Sequence, residues 1–332
     1  MPTGWIQYES SSAGERKTLT ALRCVALPLA VSLSCSGPYR MSYYQNPARH
    51  SPVPAMTEST GQGERSRASM HGMDDTQYAA PTPQKFYIHD DLSDYVRHRQ
   101  GAHSLAYRLT QELFRLVQRQ PHRVVVLHVE AQISQLLAQG MHTPFDVTIG
   151  IGRAGERVAQ QLHARTGWFP TIRQVDLTRE EDGQGGYNLV SLTATPLTVQ
   201  LAGVETAASV AVVDDTVFSG LTMRSVLHAL PAHTLARTHA FCLRGVAESL
   251  GAIRALCPLS IGFAAGGHIL EDVSFINASG LVLRVGIRRA GQPPLAFFER
   301  PVWLHAWFPG YAEEVRRLCQ QLNTLLEPAT HD

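Results

Sequence analysis

The sequence predicts an α/β fold, a parallel sheet flanked by helices, preceded by a disordered extension. Three observations predict it. From residue 85 onward, short β-branched runs alternate with stretches of helical apolar spacing, the pattern of strands joined by crossover helices. Glycine-bearing turns stand between a run and the helical stretch after it, at 152–155 and again at 219–222. The composition changes near residue 83, from Ser, Pro, Gln and Gly before it to continuous apolar patterning after it.

Residues 1–83 cannot bury enough apolar surface to offset their ordering entropy, so they are expected to form a disordered extension, and residues 84–332 the folded domain. One apolar run, from Cys24 to Cys35, follows Arg16, Lys17 and Arg23 in the order of a secretory signal. It is too short to span a bilayer, which takes about 20 apolar residues. A lipoprotein signal would need an apolar residue where Ser32 stands, and methionines at 41, 56, 70 and 73 offer later starts. Within the domain, residues 104–118 place Leu105, Leu109, Leu113, Leu116 and Val117 on one helical face. Residues 123–129 form a β-branched run, and Ile133, Leu136 and Leu137 suggest a further helix. Strand 145–151, turn 152–155 and helix 156–165 follow, the helix ended by Gly167. A strand at 171–177 leads to a long polar stretch, 179–208, expected to be a mobile loop with a β-ribbon at 189–201. The strand 209–213, a helix at 222–230, and apolar runs at 238–243 and 259–264 complete the sheet. The last helix spans 311–326.

Composition bounds the function. With 332 residues, 44% of them apolar, and a net charge of +1, the chain can bury one large core or two modest ones. Balanced charge offers no clustered basic face, so neither nucleic acid nor a membrane is expected as a partner. The five cysteines are odd in number and form no C-x-x-C pair, as expected of reduced thiols in a cytoplasmic protein. The 15 histidines show no metal-ligand spacing, and no protein-bound metal cluster is expected.

The run Val-Val-Asp-Asp-Thr-Val-Phe-Ser-Gly-Leu-Thr at 212–222 sets two carboxylates after an apolar strand and a small-residue turn after the carboxylates. On a parallel sheet, ligands sit outside the carboxyl ends of the strands, where helix amino ends present unpaired amides. The amides of Val217 to Thr222, with the hydroxyls of Ser219 and Thr222, form an anion cradle, and Gly220 permits close approach. Acids beside an anion nest suit a ligand that carries a phosphate for the cradle and, for the acids, hydroxyls or developing positive charge, as a ribose 5-phosphate does. Two plainer readings stay open: the acids end a strand and cap a helix, and Gly152 to Gly155 form an ordinary strand-to-helix turn. A response-regulator receiver is excluded, since it needs a lysine farther along and none follows Lys85.

The segment 210–222 resembles the phosphoribosyl-diphosphate (PRPP) signature of the type I phosphoribosyltransferases: four apolar residues, two acids, a short spacer and Gly-x-Thr. Ile-Gly-Ile-Gly-Arg-Ala-Gly at 149–155 is similar to that family's earlier diphosphate-binding loop, with the mobile loop between the two. The resemblance implies displacement of diphosphate from carbon 1 of PRPP by a nitrogen acceptor, usually a nucleobase, with Mg2+ bound mainly through PRPP. It implies that Asp214 and Asp215 meet the ribose hydroxyls and the developing cation. Thr216, Val217, Phe218, Ser219, Gly220, Leu221 and Thr222 then hold the 5-phosphate. Gly152, Arg153, Ala154 and Gly155 hold diphosphate, helped, for want of lysine, by Arg173 or Arg179. Locally the loop is similar to uracil phosphoribosyltransferases, and 214–230 to the pyrimidine-operon attenuator proteins, but the uracil enzymes' Gly-Tyr-x-x-Pro-Gly segment is absent. Family members cover the acceptor with a hood, which here falls after Ala264, with Phe297, Phe298 and Trp303 as candidates to stack on a base. Core packing is the commoner fate of such aromatics. A homodimer is expected from the resemblance alone. The alternative function is a non-catalytic PRPP-binding regulator, RNA-binding or not.

Overall fold

The computed structural model describes residues 83–182 and 187–327; the extension expected over 1–83 lies almost wholly outside them. The first strand, β1 (Lys85–Asp90), precedes helices α1 (Leu92–Gln100) and α2 (Leu105–Val117). Ser104 caps α2 by accepting the Tyr107 amide hydrogen at 3.1 Å. Leu105, placed by spacing on the buried face, is 51% exposed, because burial of this helix starts one residue later at Ala106. The β-branched run becomes β2 (Val124–His128), followed without a loop by α3 (Val129–Leu137).

Next come β3 (Val147–Ile151), α4 (Gly152–Thr166) and β4 (Ile172–Val175). Gly167 ends α4 in a left-handed conformation, returning its N–H to the His163 carbonyl at 2.8 Å. The polar stretch holds more structure than its composition suggests. Strands β5 (Thr178–Glu181) and β6 (Tyr187–Val190) form an antiparallel ribbon that begins earlier than expected. Residues 197–200 are the short helix α5 (Leu197–Gln200), because Pro196 fixes the backbone just before it and cannot serve a ladder.

Then β7 (Val210–Val217), α6 (Leu221–Ala229), α7 (Ala232–Leu235), β8 (Thr238–Val246), α8 (Ala247–Arg254) and β9 (Leu259–Ala265) complete a five-stranded sheet of order β4-β3-β7-β8-β9. All its pairings are parallel. Successive residues of β7 face opposite ways: Val210 and Val212 pack with Met223, Val226 and Ile253 of α6 and α8, whereas Ala211 and Val213 pack with Val158, Leu162 and Ile133 of α4 and α3. The chain is thus α/β, with a parallel sheet buried between two layers of helices.

A second lobe follows from β10 (Val273–Asn277), α9 (Ala278–Val282), β11 (Ile287–Arg289), β12 (Gln292–Leu295), α10 (Pro301–Trp307) and α11 (Ala312–Leu326). The layer after Ala264 is not built from C-terminal residues alone. Strand β10 pairs in parallel with β1, and β1 with β2, so residues from both ends of the described chain form one three-stranded sheet. Its core joins Phe86, Leu113, Leu281, Trp307, Val315 and Leu322, with Phe86 stacked on Trp307 at 4.7 Å. Its other face meets the five-stranded sheet through Tyr87, whose ring lies 5.2 Å from Phe263 and 5.0 Å from Phe275. The ribbon joins the lobe through β5 and β11. Among the described residues no helix is long and apolar enough to cross a membrane.

Candidate functional site

In the five-stranded sheet, β4 lies on one side of β3 while β7, β8 and β9 extend on the other, so the order reverses between β3 and β7. Crossover helices diverge at such a point and leave a crevice at the carboxyl ends of the strands. Pairing between β3 and β7 ends at Gly150 and Val213, whereas β7 stays paired with β8 as far as Val217 and Gly245. The acids therefore lie inside the last half of β7, not after it as the sequence suggested. The β8 ladder fixes them while their β3 side is open.

The turn expected at 152–155 is already the first turn of α4. Gly152, at φ +57°, lets the chain pass from strand to helix without a loop. Gly155 lies so close to β7 that a Cβ there would stand 2.3 Å from the Val213 carbonyl oxygen and 3.3 Å from the Asp214 Cα. The helix amino end is thereby held against the acids.

A cleft of about 260 Å3 opens at this edge. It is lined by Asp214, Asp215 and every residue from Thr216 to Thr222, together with Arg179 of the ribbon and Phe275, Asn277 and Phe297 of the second lobe. Gly220, at φ +73°, turns the chain into α6, whose first amides point at the same space. The Thr216 hydroxyl is buried with no hydrogen-bond partner. Ile151 lines the cleft, but Gly152, Arg153, Ala154 and Gly155 flank it without lining it. A larger groove of about 530 Å3 between α2 and α11 is walled by Arg115, Arg119, Glu314 and Arg317, far in sequence from either motif.

The two acids differ in environment. Asp214 accepts the Asp215 backbone N–H at 2.8 Å, and burial, with the charge of Asp215 beside it, pushes its carboxyl well above the usual range. Burial acts on Asp215 in the same sense, but the guanidinium of Arg244 and a hydrogen bond from Asn277 overcome it and hold that carboxyl down at about 2. Asp215 Oδ2 accepts from Arg244 Nη2 at 3.1 Å and from Asn277 Nδ2 at 3.0 Å, and Arg244 Nη2 also donates to Asn277 Oδ1. Arg244 is fully buried, and its Nε and Nη1 have no hydrogen-bond partner; Asp91 and Asp214 help balance its charge without touching it. Next to it, His89 accepts from Gln132 at 3.0 Å, and burial with the Arg244 charge keeps it neutral. Asp91 accepts the Ser279 amide and hydroxyl hydrogens; burial raises its carboxyl all the same.

Of the expected cations, Arg179 lines the cleft, but Arg173 donates to the Ala202 carbonyl at 2.7 Å and braces the chain between α5 and β7 instead. Of the expected aromatics, Phe297 reaches the cleft. Phe298 and Trp303 are 7% and 9% exposed and belong to the second core, where Trp303 stacks behind Phe297 at 5.8 Å. Burial in that core, not ligand contact, is what draws these two inward. Sequence reasoning missed Arg244, Asn277 and Ser279. A charged residue amid the apolar run of β8 was the available signal for Arg244; nothing local marks the other two.

Among the described residues no three His, Cys, Asp or Glu side chains converge as a metal cage. The Asp214 and Asp215 carboxyls, which also share a side-chain hydrogen bond, both line the cleft. One or two such carboxylate oxygens, with the rest of the shell from phosphate and water, is the donor set Mg2+ commonly takes in phosphate chemistry, and the residues present fit it.

No protein-family model and no curated protein matches the chain. Among solved structures it is similar to a purine phosphoribosyltransferase from Pyrococcus horikoshii, at 16% identity and a TM-score of 0.27, over 44% of this chain and 84% of that one. A protein from Thermus thermophilus, TT1426, is similar at 19% identity and a TM-score of 0.28, over 42% and 82%. A protein from Neisseria gonorrhoeae solved with bound ppGpp is similar at 19% identity and a TM-score of 0.32, over 44% and 80%.

Proposed function

We propose that the protein is a phosphoribosyltransferase, transferring ribose 5-phosphate from PRPP to a nitrogen acceptor with release of diphosphate. The observation that carries the reading is the cleft at the sheet's reversal point, lined by both acids and by the whole of 216–222. In this reading the α6 amino end, with the Ser219 and Thr222 hydroxyls, binds the 5-phosphate. The ribose hydroxyls donate to the Asp214 and Asp215 carboxyls. As the bond from carbon 1 to the diphosphate oxygen lengthens, positive charge grows on the ring, and ionised Asp215, fixed by Arg244, stabilises it without reorganising. The acceptor nitrogen's lone pair forms the new bond to carbon 1, the diphosphate takes both electrons of the old one, and the proton that nitrogen loses passes to the leaving diphosphate or to solvent. Arg179 and the first-turn amides of α4 receive that charge. Mg2+, when bound, supplies charge neutralisation on the leaving diphosphate.

Diphosphate release from Mg-PRPP with a panel of free bases tests the reading. Replacing both acids, Asp214→Asn with Asp215→Asn, is expected to abolish release with the circular dichroism unchanged. Tight Mg-PRPP binding without release from any base would make the protein a PRPP-binding regulator instead.

A further inference from the structure

One wall of the cleft comes from β10, α9 and the segment after them. Phe275, Ile276, Gly280, Val285, Gly286 and Phe297 contribute to it no side-chain hydrogen-bonding group; Asn277 and Ser279 do. Ser279 donates its hydroxyl hydrogen to Asp91, so the only side-chain donor left on this wall, among the described residues, is Asn277. The Asn277 amide cannot be turned over. Arg244 Nη2 can only donate, so Oδ1 must face it; the ionised Asp215 can only accept, so Nδ2 must face that. An amide nitrogen carries two hydrogens, and Asp215 takes one.

We infer that Asn277 reads the second substrate through its remaining Nδ2 hydrogen, and that Arg244 is the positioning residue that holds the amide in that orientation. This rests on the phosphoribosyl-transfer reading and deepens it. Because Asn277 is bonded to the acid assigned to the ribose, its free hydrogen lies beside the place where carbon 1 must sit. The acceptor class is then a planar ring with a carbonyl or imine lone pair next to the attacking nitrogen. Phe275 and Phe297 give its faces apolar contact. A ring without that lone pair would cover the N–H and leave it unpaired, the situation that discriminates most strongly between substrates.

Diphosphate release is followed with Mg-PRPP and adenine, hypoxanthine, guanine, xanthine or uracil, and the Kd of Mg-PRPP alone is measured by calorimetry. Asn277→Ala is expected to raise the KM of the accepted base about tenfold or more. The Kd of Mg-PRPP stays within about threefold, since Asp215 keeps its Arg244 partner. Arg244→Lys, at a residue that does not line the cleft, should raise the same KM by a smaller factor, because a flexible ammonium lacks the rigid planar guanidinium that fixes one nitrogen between both oxygens. An unchanged base KM in Asn277→Ala, or a KM and a Kd that rise together, overturns the inference and leaves Asn277 a brace for Asp215. Should that variant not fold, Asn277→Leu decides: it keeps about the same volume, removes both amide hydrogens, and must show the same rise in base KM with the Kd of Mg-PRPP within about threefold. Failure of the wild type to bind Mg-PRPP would remove the phosphoribosyl reading and the inference with it; failure in the variants removes the inference alone.

Discussion

Among the described residues two arginine–carboxylate pairs are buried, in different regions, and the contrast separates a pair that holds structure from one that borders the cleft. In the second lobe, Arg300 meets Glu181 through two parallel bonds of 2.9 and 2.6 Å, with both side chains at most 3% exposed and the guanidinium 4.9 Å over the Trp303 ring. Two donors meet two acceptors, and both carboxylate oxygens are taken. The pair pins the end of β5, and so the ribbon carrying Arg179, to the start of α10. At the cleft, Arg244 offers Asp215 a single nitrogen, shares it with Asn277, and leaves two other nitrogens without hydrogen bonds. Asp215 keeps 14% of its side chain exposed. A buried pair whose carboxylate is only half engaged costs stability that a bidentate pair need not, and here that pair stands at the edge of the cleft.

The largest expected effect falls on the bidentate pair. Arg300→Ala strands Glu181 in an apolar surrounding and should cost about 3–5 kcal/mol in urea unfolding. A loss under about 1 kcal/mol would mean that the pair is wetter than its geometry indicates. Replacing both partners together, Glu181→Leu with Arg300→Met, should recover at least half of that loss, because two desolvation costs disappear at once.

A middle-sized effect belongs to Asp215. Its folded-state carboxyl titrates near 2, below the unfolded 3.8, so its stabilisation is complete above the unfolded value and drains away as pH falls through about 2. Urea midpoints measured between pH 5 and 2 should show an acid-side loss of about 2 kcal/mol that Asp215→Asn lacks. Identical pH profiles would dissolve the contrast between the two regions.

The smallest effect is a gain. Asp214 is raised, so ionising it in the fold is unfavourable and its contribution worsens as pH climbs past the unfolded value. Asp214→Asn should therefore raise Tm at pH 7.5 by a few degrees while removing turnover, and the difference should vanish below about pH 4, where both side chains are neutral. A lower Tm at pH 7.5 would show that the carboxylate is stabilised by its surroundings after all.

The same contrast explains what could be seen in the sequence. The edge of β7, the Gly152 turn and the Gly220 turn are local: strand, turn and helix lie within about a dozen residues, and the residue types state their own geometry. The length of β7 past Val213 was harder, because Asp and Asp read as the end of a strand and only the β8 ladder keeps them in it. Arg244 and Asn277 stand 29 and 62 positions from Asp215, and Glu181 stands 119 from Arg300; such pairs form only once the sheets are assembled. The aromatics after Phe297 show the converse. Composition alone could not sort Phe297, at the cleft, from Phe298 and Trp303, in the core, since one residue of offset on a short turn decides which way each ring points.

The joining of β1 to β10 sets an order on the birth of the molecule. The five strands of the β4-β3-β7-β8-β9 sheet can pair as soon as residue 265 has left the ribosome, whereas β1, waiting with β2, has one edge unpaired until residues 273–277 emerge. At synthesis rates of about 5–20 residues per second, the stretch from there to the end of α11 takes several seconds more. Until residue 307 emerges Phe86 lacks the Trp307 ring that covers it, and until residues 273–277 emerge the β1 edge is open to any passing strand. The nascent chain can therefore order the sheet that bears its acids before the wall that faces them exists.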